Sequence, residues 1–254
     1  MNLTMDPLTA EGYKSPAQRS RRITEAWFGE NMFCPACLSN RLLPTPGATR
    51  VVDFQCPGCG SEYQLKAKSA PLRGRLRDAA YAPMIERVRE NRAPHFAFLH
   101  YSPDWSVSDL LLVPGHFITE NAIQPCKPLS ERARRHGWVG CNILMDALPM
   151  GGRVSVVSSG ATLPQTQVRE QWARFSWLGK YQAEARGWTT DVLRCIERLG
   201  KKEFSLPDAY EFETELSAAH PRNRNVQAKI RQQLQILRDQ RVLLFLGHGR
   251  YRLM

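Results

Sequence analysis

Four cysteines in two closely spaced pairs constrain this chain more than any other feature. Cys34 and Cys37 form one pair, Cys56 and Cys59 form the other, and each pair lies in a turn that contains Pro or Gly. Thiolates at this spacing converge on one tetrahedral ion, and zinc is the ion that four sulfur ligands favour. Because a closed set of four thiolates leaves no position for a substrate, the predicted zinc site is structural.

The composition limits the class of protein. With 254 residues, of which 43% are hydrophobic, the chain can bury one substantial core and a smaller second one. Residues 1–13 lack the basic patch and apolar run of a secretory signal, and no stretch is apolar enough to span a bilayer. We therefore expect a cytoplasmic protein without a membrane partner, and we take it to be a monomer. The remaining Cys126, Cys141 and Cys195 are expected to be ordinary packing residues.

The charge of the chain indicates its partner. The formal net charge of +11 and the pI of about 9.6 favour a polyanion such as nucleic acid. Pro221–Met254 carries eight basic residues and one acid, whereas Glu203–Glu215 carries five acids and neither Lys nor Arg. A solvated basic face is the simpler explanation for basic residues, but it does not require such sorting. A module that turns one face toward phosphates does require basic and acidic residues to be separated along the chain.

The first part of the chain has the pattern of a mixed α/β core. Ser15 and Pro16 are suited to begin a helix, and Asp78–Glu90 has helical spacing that Pro83 delays or kinks. About four to six strands are expected in this part. The runs with strand character are Arg50–Phe54, Ser61–Lys66, His95–Tyr101, Asp109–Val113, Gly140–Met145 and Arg153–Val157.

The last part of the chain has a helical pattern that ends in a hairpin. Apolar residues recur at helical spacing in Trp188–Leu199, Leu206–Ala219 and Asn225–Gln240. A hairpin follows at Val242–Phe245 and Tyr251–Leu253. This order is that of a winged helix-turn-helix module, in which the third helix contacts DNA. We therefore divide the chain into residues 1–182 and 183–254, with residues 176–186 as the expected hinge.

Hard ligands surround the second cysteine pair. Alternation along a strand puts Gln64 and Lys66 on one face, and Asp53 lies just before the pair. The Asp53 carboxylate, the Gln64 amide oxygen and the Leu65 carbonyl suit magnesium, and Lys66 would orient or activate a water that attacks a phosphodiester. Such a set also arises by chance in α/β proteins, so a purely structural role for these residues stays open at this point.

Two basic segments are candidates to contact DNA. In the first, Arg134 and Arg135 precede Trp138, although a tryptophan that anchors a surface loop in the core explains this segment equally well. The second is the start of the third helix, where Asn, Gln and Arg side chains can pair with base edges. Its candidate residues are Arg222, Asn223, Arg224, Asn225, Gln227, Lys229, Arg231 and Gln232.

Several longer runs are similar to one known family. The chain resembles the DpnI-type methyl-directed restriction endonucleases over its full length. The resemblance is carried by Cys34-Pro-x-Cys37, Asp53-Phe-x-Cys-x-x-Cys59, Arg134-Arg-x-Gly-Trp-x-Gly-Cys-Asn142, Arg186-Gly-Trp188 and the run from Lys229 to Asp239.

The resemblance implies both a fold and an activity. It implies a PD-(D/E)xK nuclease core with an inserted zinc ribbon in residues 1–182 and a winged helix in residues 183–254. It also implies magnesium-dependent cleavage of double-stranded DNA at GATC sites that carry N6-methyladenine, with recognition by both domains. By position, Asp53 resembles the family's metal-binding aspartate, Lys66 its catalytic lysine and Trp138 the tryptophan near the methyl groups.

Position 64 departs from the family pattern, which has Glu where this chain has Gln. Loss of one formal charge weakens magnesium binding, and Glu62 on the same strand face is a candidate to compensate through a water. An alternative function is therefore a methylated-DNA binding protein with weakened or lost nuclease activity. A winged-helix transcription regulator with a zinc ribbon would explain the C-terminal part but not the residues from Asp53 to Lys66.

Overall fold

The computed structural model describes residues 1–46 and 51–254, which form seven α-helices and three β-sheets. The helices are α1 (Pro16–Asn31), α2 (Tyr81–Arg89), α3 (Gln165–Ala173), α4 (Ala183–Arg198), α5 (Leu206–Tyr210), α6 (Glu213–Ala219) and α7 (Val226–Asp239). The strands are β1 (Leu43–Pro44), β2 (Phe54–Gln55), β3 (Glu62–Lys68), β4 (Arg75–Ala80), β5 (His95–Tyr101), β6 (Val107–Val113), β7 (Ile123–Pro125), β8 (Gly140–Leu144), β9 (Val154–Ser158), β10 (Ala161–Thr162), β11 (Glu203–Ser205), β12 (Leu243–Gly247) and β13 (Arg250–Leu253).

A seven-stranded mixed sheet forms the centre of the first part of the chain. Its strand order is β1-β2-β3-β5-β6-β9-β10, and only β3 and β5 run parallel. Both faces are covered, because Phe96 and Phe98 of β5 belong to one apolar cluster whereas Ala97 and Leu99 belong to another. This alternation explains why β5 reads as a continuous apolar run in the sequence. The sheet is larger than the predicted four to six strands, because the short strands β1, β2 and β10 extend its two edges.

The predicted helix Asp78–Glu90 is wrong at its start. Residues up to Ala80 form strand β4, which pairs with β8 in a second sheet of order β4-β8-β7. Leu76 and Asp78 are the buried residues of this strand, so that strand alternation overrides the helical spacing that continues into α2. Pro83 lies in the first turn of α2. Backbone N–H groups in the first turn have no acceptor within the helix, so a proline there costs no helical hydrogen bond.

The last part of the chain contains α4–α7 and a three-stranded sheet of order β11-β13-β12. The single helix predicted over Leu206–Ala219 is two helices, because the backbone leaves helical geometry at Phe212 with a ψ of 6°. A capping box of Ser205 and Asp208 begins α5. The predicted third helix and hairpin are present as α7, β12 and β13, and β11 is a strand that the sequence pattern did not predict.

The segment expected to act as a hinge is packed instead. Leu178 and Arg186 are buried, and the Arg186 guanidinium donates hydrogen bonds to Asn91 Oδ1 at 2.8 Å and to the Val88 carbonyl at 3.3 Å. One apolar cluster also joins Phe117 of the first part to Trp188 of α4. These contacts tie the expected hinge to the rest of the chain, because ordering this segment buries apolar surface from both parts.

Most predicted elements of the mixed α/β architecture are confirmed, including the cysteine cluster and the C-terminal helix-turn-helix part. The predicted strand Arg50–Phe54 begins outside the described residues, and its described part contributes only Phe54 to β2. Within the described ranges, every helix is too short or too polar to cross a lipid bilayer.

Candidate active site and zinc site

A cleft of about 650 Å³ opens between α1, β3 and β4. Asp53, Gln64, Leu65 and Lys66 all line it. The structure thus brings together the residues that the sequence pattern assigned to one magnesium site. Strand β3 delivers three of them, and the β2–β3 hairpin returns the chain so that Asp53 lies beside them.

The Asp53 carboxylate is held in place by strand β3. Its Oδ2 accepts a hydrogen bond from the Leu65 N–H at 2.9 Å. The Asp53 N–H donates to the Tyr63 carbonyl at 2.9 Å, and the Asp53 carbonyl accepts from the Thr45 N–H at 2.9 Å. Main-chain and side-chain bonds together orient this carboxylate toward the cleft that Gln64 and Lys66 share.

Gln64 contributes an acceptor without a partner. Its side chain lies in the cleft wall with 3% of the residue exposed, and its Oε1 receives no hydrogen bond from any described residue. A buried amide oxygen in this state costs free energy, because it has lost water and gained no donor. A cation in the cleft would satisfy it. The orphaned oxygen, the Asp53 carboxylate and the Leu65 carbonyl form a donor set of the kind that magnesium prefers, so these residues fit the ion.

Lys66 has a partner that the sequence did not reveal. Its Nζ lies 2.5 Å from Oδ1 of Asp78, whose side chain is completely buried. Asp78 was missed because the helical spacing that begins there hid its place in strand β4. The alternation of Leu76 and Asp78 was the signal that could have found it.

The expectation for Glu62 is wrong. Its carboxylate forms an ion pair with Arg87 of α2, and it does not line the cleft. Glu25 of α1 does line the cleft, and its Oε1 lies 2.6 Å from Arg21 Nε. Asp53 and Glu25 are therefore the two carboxylates on the cleft wall.

The four paired cysteines fit one zinc ion. Their sulfur atoms all lie within 4.8 Å of one another. Cys34 Sγ is 3.7 Å from Cys59 Sγ, and Cys37 Sγ is 3.5 Å from Cys56 Sγ. Zn–S bonds of about 2.3 Å in a tetrahedron separate the sulfurs by roughly 3.8 Å. The sulfur positions therefore suit zinc without rearrangement of the chain.

Two of these thiols differ in how readily they ionise. Burial raises the pKa of the Cys34 thiol to about 12. Burial also opposes ionisation of Cys56, but hydrogen bonds from the N–H groups of Cys59 and Gly58, together with those from the thiols of Cys37 and Cys34, outweigh it and lower the pKa of the Cys56 thiol to about 6. Cys56 thus offers a thiolate at neutral pH, whereas a metal ion must displace the proton of Cys34.

The cysteine cluster supports the cleft through Tyr63. The Tyr63 hydroxyl lies 3.3 Å from Cys34 Sγ, and the Tyr63 carbonyl accepts the hydrogen bond from Asp53. From the other side, Arg169 of α3 donates to the Cys37 carbonyl at 3.1 Å. The cysteine cluster is therefore connected to the hairpin that carries Asp53.

The start of α7 presents a polar, basic surface. Its opposite face is buried through Ile230, Leu234 and Leu237. Two of the predicted contact residues are half-buried: Asn223, whose Oδ1 accepts from the Asn225 N–H at 2.8 Å, and Lys229, whose ammonium lies 6.0 Å from the Trp188 ring. The exposed ones are Arg222, Arg224, Asn225, Gln227, Arg231 and Gln232.

Two family models match the chain and together cover nearly all of it. Residues 1–181 match the DpnI model, described as the Dam-replacing family. Residues 184–253 match the model of the Dam-replacing HTH domain. The chain belongs to the DpnI family. Membership assigns it to the restriction nucleases that bind DNA, and the matched HTH region contains α4–α7 and the hairpin.

In this DpnI-family protein, Trp138 is not a core residue. It is half-buried, belongs to neither apolar cluster, and has the Arg135 guanidinium carbon 4.7 Å from its ring centroid. Arg134 and Arg135 are exposed. A Cβ at Gly140 would lie 2.9 Å from the Trp138 ring, so that glycine is required for the indole to fold back over the strand. The loop thus presents two arginines and one indole to solvent.

The basic charge of the HTH part is less uniform than its sequence indicates. Arg250 and Arg252 on the hairpin form ion pairs with Glu203 of β11 at 3.1 and 2.6 Å. In contrast, Arg222 and Arg224 form no ion pair within 4.0 Å with any described residue. Unpaired positive charge therefore concentrates just before α7, where the helix N-terminus also favours phosphate.

Proposed function

We propose that this protein is a magnesium-dependent type II endonuclease that cuts double-stranded DNA at GATC sites carrying N6-methyladenine. The observation that carries the proposal is the convergence of Asp53, Gln64 and Lys66 on one cleft, with the buried Gln64 oxygen left without a partner among the described residues. Membership in the DpnI family supports the methylated DNA substrate, because the resemblance to this family implies recognition of that site.

The chain's part in the reaction begins with holding the metal ion. The Asp53 carboxylate, Gln64 Oε1 and the Leu65 carbonyl would hold magnesium, and the Leu65 N–H at 2.9 Å keeps the carboxylate from turning away. When bound, magnesium polarises the scissile phosphate and lowers the pKa of a water molecule. Strand β3 therefore acts as a rigid support for oxygen ligands.

Lys66 supplies positive charge on the same strand. Its ammonium can donate hydrogen bonds to the attacking water and to a phosphate oxygen, where negative charge develops during displacement. A fixed cation is more effective here than a mobile one, because it does not reorganise as the charge forms. The ion pair with Asp78 provides such fixation.

Two surfaces are proposed to read the DNA. Arg134, Arg135 and Trp138 would contact it from the first part of the chain, and the start of α7 would contact it from the second. The half-exposed indole offers an apolar surface to an adenine methyl group. Because one methyl group discriminates by only about 1 to 3 kcal/mol, two readers in one chain would multiply the selectivity.

The second candidate function is a methylated-DNA binding protein whose nuclease activity is weakened or lost. The neutral Gln64 favours this function, as does the ion pair of Glu62 with Arg87, which leaves β3 without a carboxylate for the cleft. Both candidate functions use the same proposed DNA-contacting surfaces. Only a cleavage assay therefore distinguishes them.

Digestion of two plasmids tests the proposal. One plasmid comes from an adenine-methylating host and the other from a host without this methylation. With magnesium we expect double-strand breaks in the methylated plasmid alone, and with chelator in neither. Asp53→Asn is the matched control, since it keeps the size of the side chain and should bind methylated DNA without cutting it.

Other outcomes would reject parts of the proposal. Cleavage of both plasmids alike would remove the methyl-specific part. A methyl-specific gel shift without cleavage in magnesium or manganese, together with cleavage by Gln64→Glu, would favour the binding protein. Substitution of Trp138 by Ala should reduce the preference for methylated DNA, and an unchanged preference would exclude the indole as a methyl reader.

A further inference from the structure

The buried aspartate behind Lys66 has no place in the activity described so far. Asp78 lies in strand β4 of the second sheet, with a side chain that is 0% exposed, and its Oδ1 forms an ion pair with Lys66 Nζ at 2.5 Å without the alignment of a hydrogen bond. The other oxygen, Oδ2, has only the weak donor Cys141 Sγ at 3.7 Å. Lys66 is therefore the principal group that offsets the Asp78 charge among the described residues.

Burial makes this ion pair costly in free energy. A buried carboxylate is costly unless it is paired, and an apolar pair of the same volume would stabilise the fold as well or better. The pair therefore needs an explanation other than stability. Because the lysine side chain is long and flexible, a buried partner removes rotamers that the ammonium would otherwise sample.

The partnership is specific within the cleft. Arg21, Lys68 and Arg77 also line the cleft, yet none of them forms an ion pair with Asp78. Asp78 pairs with Lys66, which lies on strand β3 together with Gln64. The Lys66 side chain is 22% exposed and lines the cleft, so it can still contact a substrate.

Strand β4 carries Asp78 beside a β-bulge. Arg77 pairs with Asn142 and Ala80 pairs with Gly140, and the register shifts between these two pairs. Asp78 keeps the regular alternation of the strand and lies on its buried face. Bulges are frequent beside functional sites.

We infer that Asp78 is a positioning residue for cleavage, which holds the Lys66 ammonium in the cleft from the buried face of β4. The inference rests on the proposed nuclease function. It requires that Asp78 act only through Lys66, so that removal of Asp78 has no further effect on cleavage once Lys66 has been removed.

A double-mutant cycle of Asp78→Asn and Lys66→Met tests this role. We expect Asp78→Asn to lower the single-turnover cleavage rate at saturating methylated DNA by about 100-fold, the cost of a misplaced group, while the Kd for that DNA stays unchanged. In the Lys66→Met background, Asp78→Asn should lower the residual rate no further.

Unfolding in urea gives a readout without nuclease activity. Lys66→Met leaves Asp78 buried and unpaired, so its unfolding midpoint should be lower than that of the double variant, in which the charge is gone. Asp191→Asn is the matched control, because Asp191 is 1% exposed and pairs with His220 outside the cleft. It should lower stability and leave the single-turnover rate unchanged.

The possible failures are distinguishable. A cleavage rate unaffected by Asp78→Asn, or lowered equally with and without Lys66, would overturn the positioning role alone. Absence of cleavage in both the wild type and Gln64→Glu would overturn the proposed function and this role with it. In that case the urea cycle would still report whether the Asp78–Lys66 pair exists.

Discussion

At the scale of single residues, one neutral side chain decides how strongly the cleft attracts a cation. Gln64 offers an oxygen without a charge, and its Oε1 is unpaired within the described part of the chain. Glu25 is engaged with Arg21, and Glu62 is engaged with Arg87. The negative charge for a divalent ion would therefore come mainly from the Asp53 carboxylate. Sites for such ions usually offer more than one carboxylate.

Gln64→Glu should strengthen metal binding in the cleft. We expect the magnesium concentration for half-maximal cleavage to fall by at least about tenfold, or roughly 1.4 kcal/mol of binding free energy, because a carboxylate replaces an amide. Titration of the cleavage rate with magnesium, and of methylated-DNA binding with calcium, measures the change. Gln55→Glu adds the same charge on an exposed residue of β2 outside the cleft. Equal shifts in both variants would contradict a ligand role for position 64.

At the scale of elements, the cysteine cluster is what makes the β2–β3 hairpin a defined support. Cys56 and Cys59 lie at the tip of this hairpin, and β2 has only two residues. So short a strand has little stability of its own. A zinc ion bound by the four cysteines would supply the missing contacts, since metal binding energy at such a site is also folding energy.

Cys37→Ser should remove the zinc and disorder the hairpin. We expect the metal content to fall from one zinc per chain to none, and the thermal unfolding temperature to fall with it, because three thiolates hold the ion poorly. Elemental analysis and calorimetry measure both quantities. Cys126→Ser, at a half-buried cysteine outside the cluster, should retain zinc. Zinc retained in Cys37→Ser would reject the four-cysteine site.

Helix α7 is the second element with a defined task. Its apolar face is buried, and the unpaired arginines lie just before its first turn. One face of this amphipathic helix packs in the core, and we propose that its exposed start contacts DNA.

Arg224→Ala should weaken DNA binding and its salt dependence together. If the side chain contacts a phosphate, the slope of log Kd against log salt should fall by about 0.9. Fluorescence anisotropy with methylated duplex at several salt concentrations measures the slope. Arg238→Ala in the last turn of α7 is the control, because Arg238 already pairs with Asp239. An equal decrease of the slope in Arg224→Ala and Arg238→Ala would indicate a general effect of net charge.

At the scale of the whole molecule, the matched family regions share one apolar cluster. Phe117 and Phe175 from the first part pack in the same cluster as Trp188, Leu234 and Leu243 from the second. Glu197 of α4 also accepts hydrogen bonds from the Met150 and Gly151 N–H groups, at 2.5 and 2.9 Å. The two surfaces proposed to contact DNA thus belong to parts of the chain that pack together.

We therefore expect one cooperative unfolding transition for the full chain. Five of the six tryptophans lie before residue 183, whereas α4–α7 follow it, so tryptophan fluorescence and helical circular dichroism weight the two parts differently. Urea curves from both signals should coincide, because a shared core couples the parts. Two separated midpoints would show that the parts unfold independently, as the hinge predicted from the sequence would require.

The amino-acid sequence alone determined the local features of this protein. The spacing of the four cysteines, the helical periodicity of α7 and the apolar run of β5 each depend on a few neighbouring residues, which is why their patterns predict structure. The sequence also showed that Asp53 and Lys66 lie on either side of the second cysteine pair. The family was evident as well, since long matching runs identify it.

Only the tertiary structure decided which side chains meet. The Asp78–Lys66 pair joins two different sheets, the Glu62–Arg87 pair depends on where α2 packs, and the burial of Arg186 depends on contacts with the first part of the chain. None of these contacts leaves a local period in the sequence. They arise because burial makes unpaired charge costly, so that each charged group takes the partner that packing brings within reach.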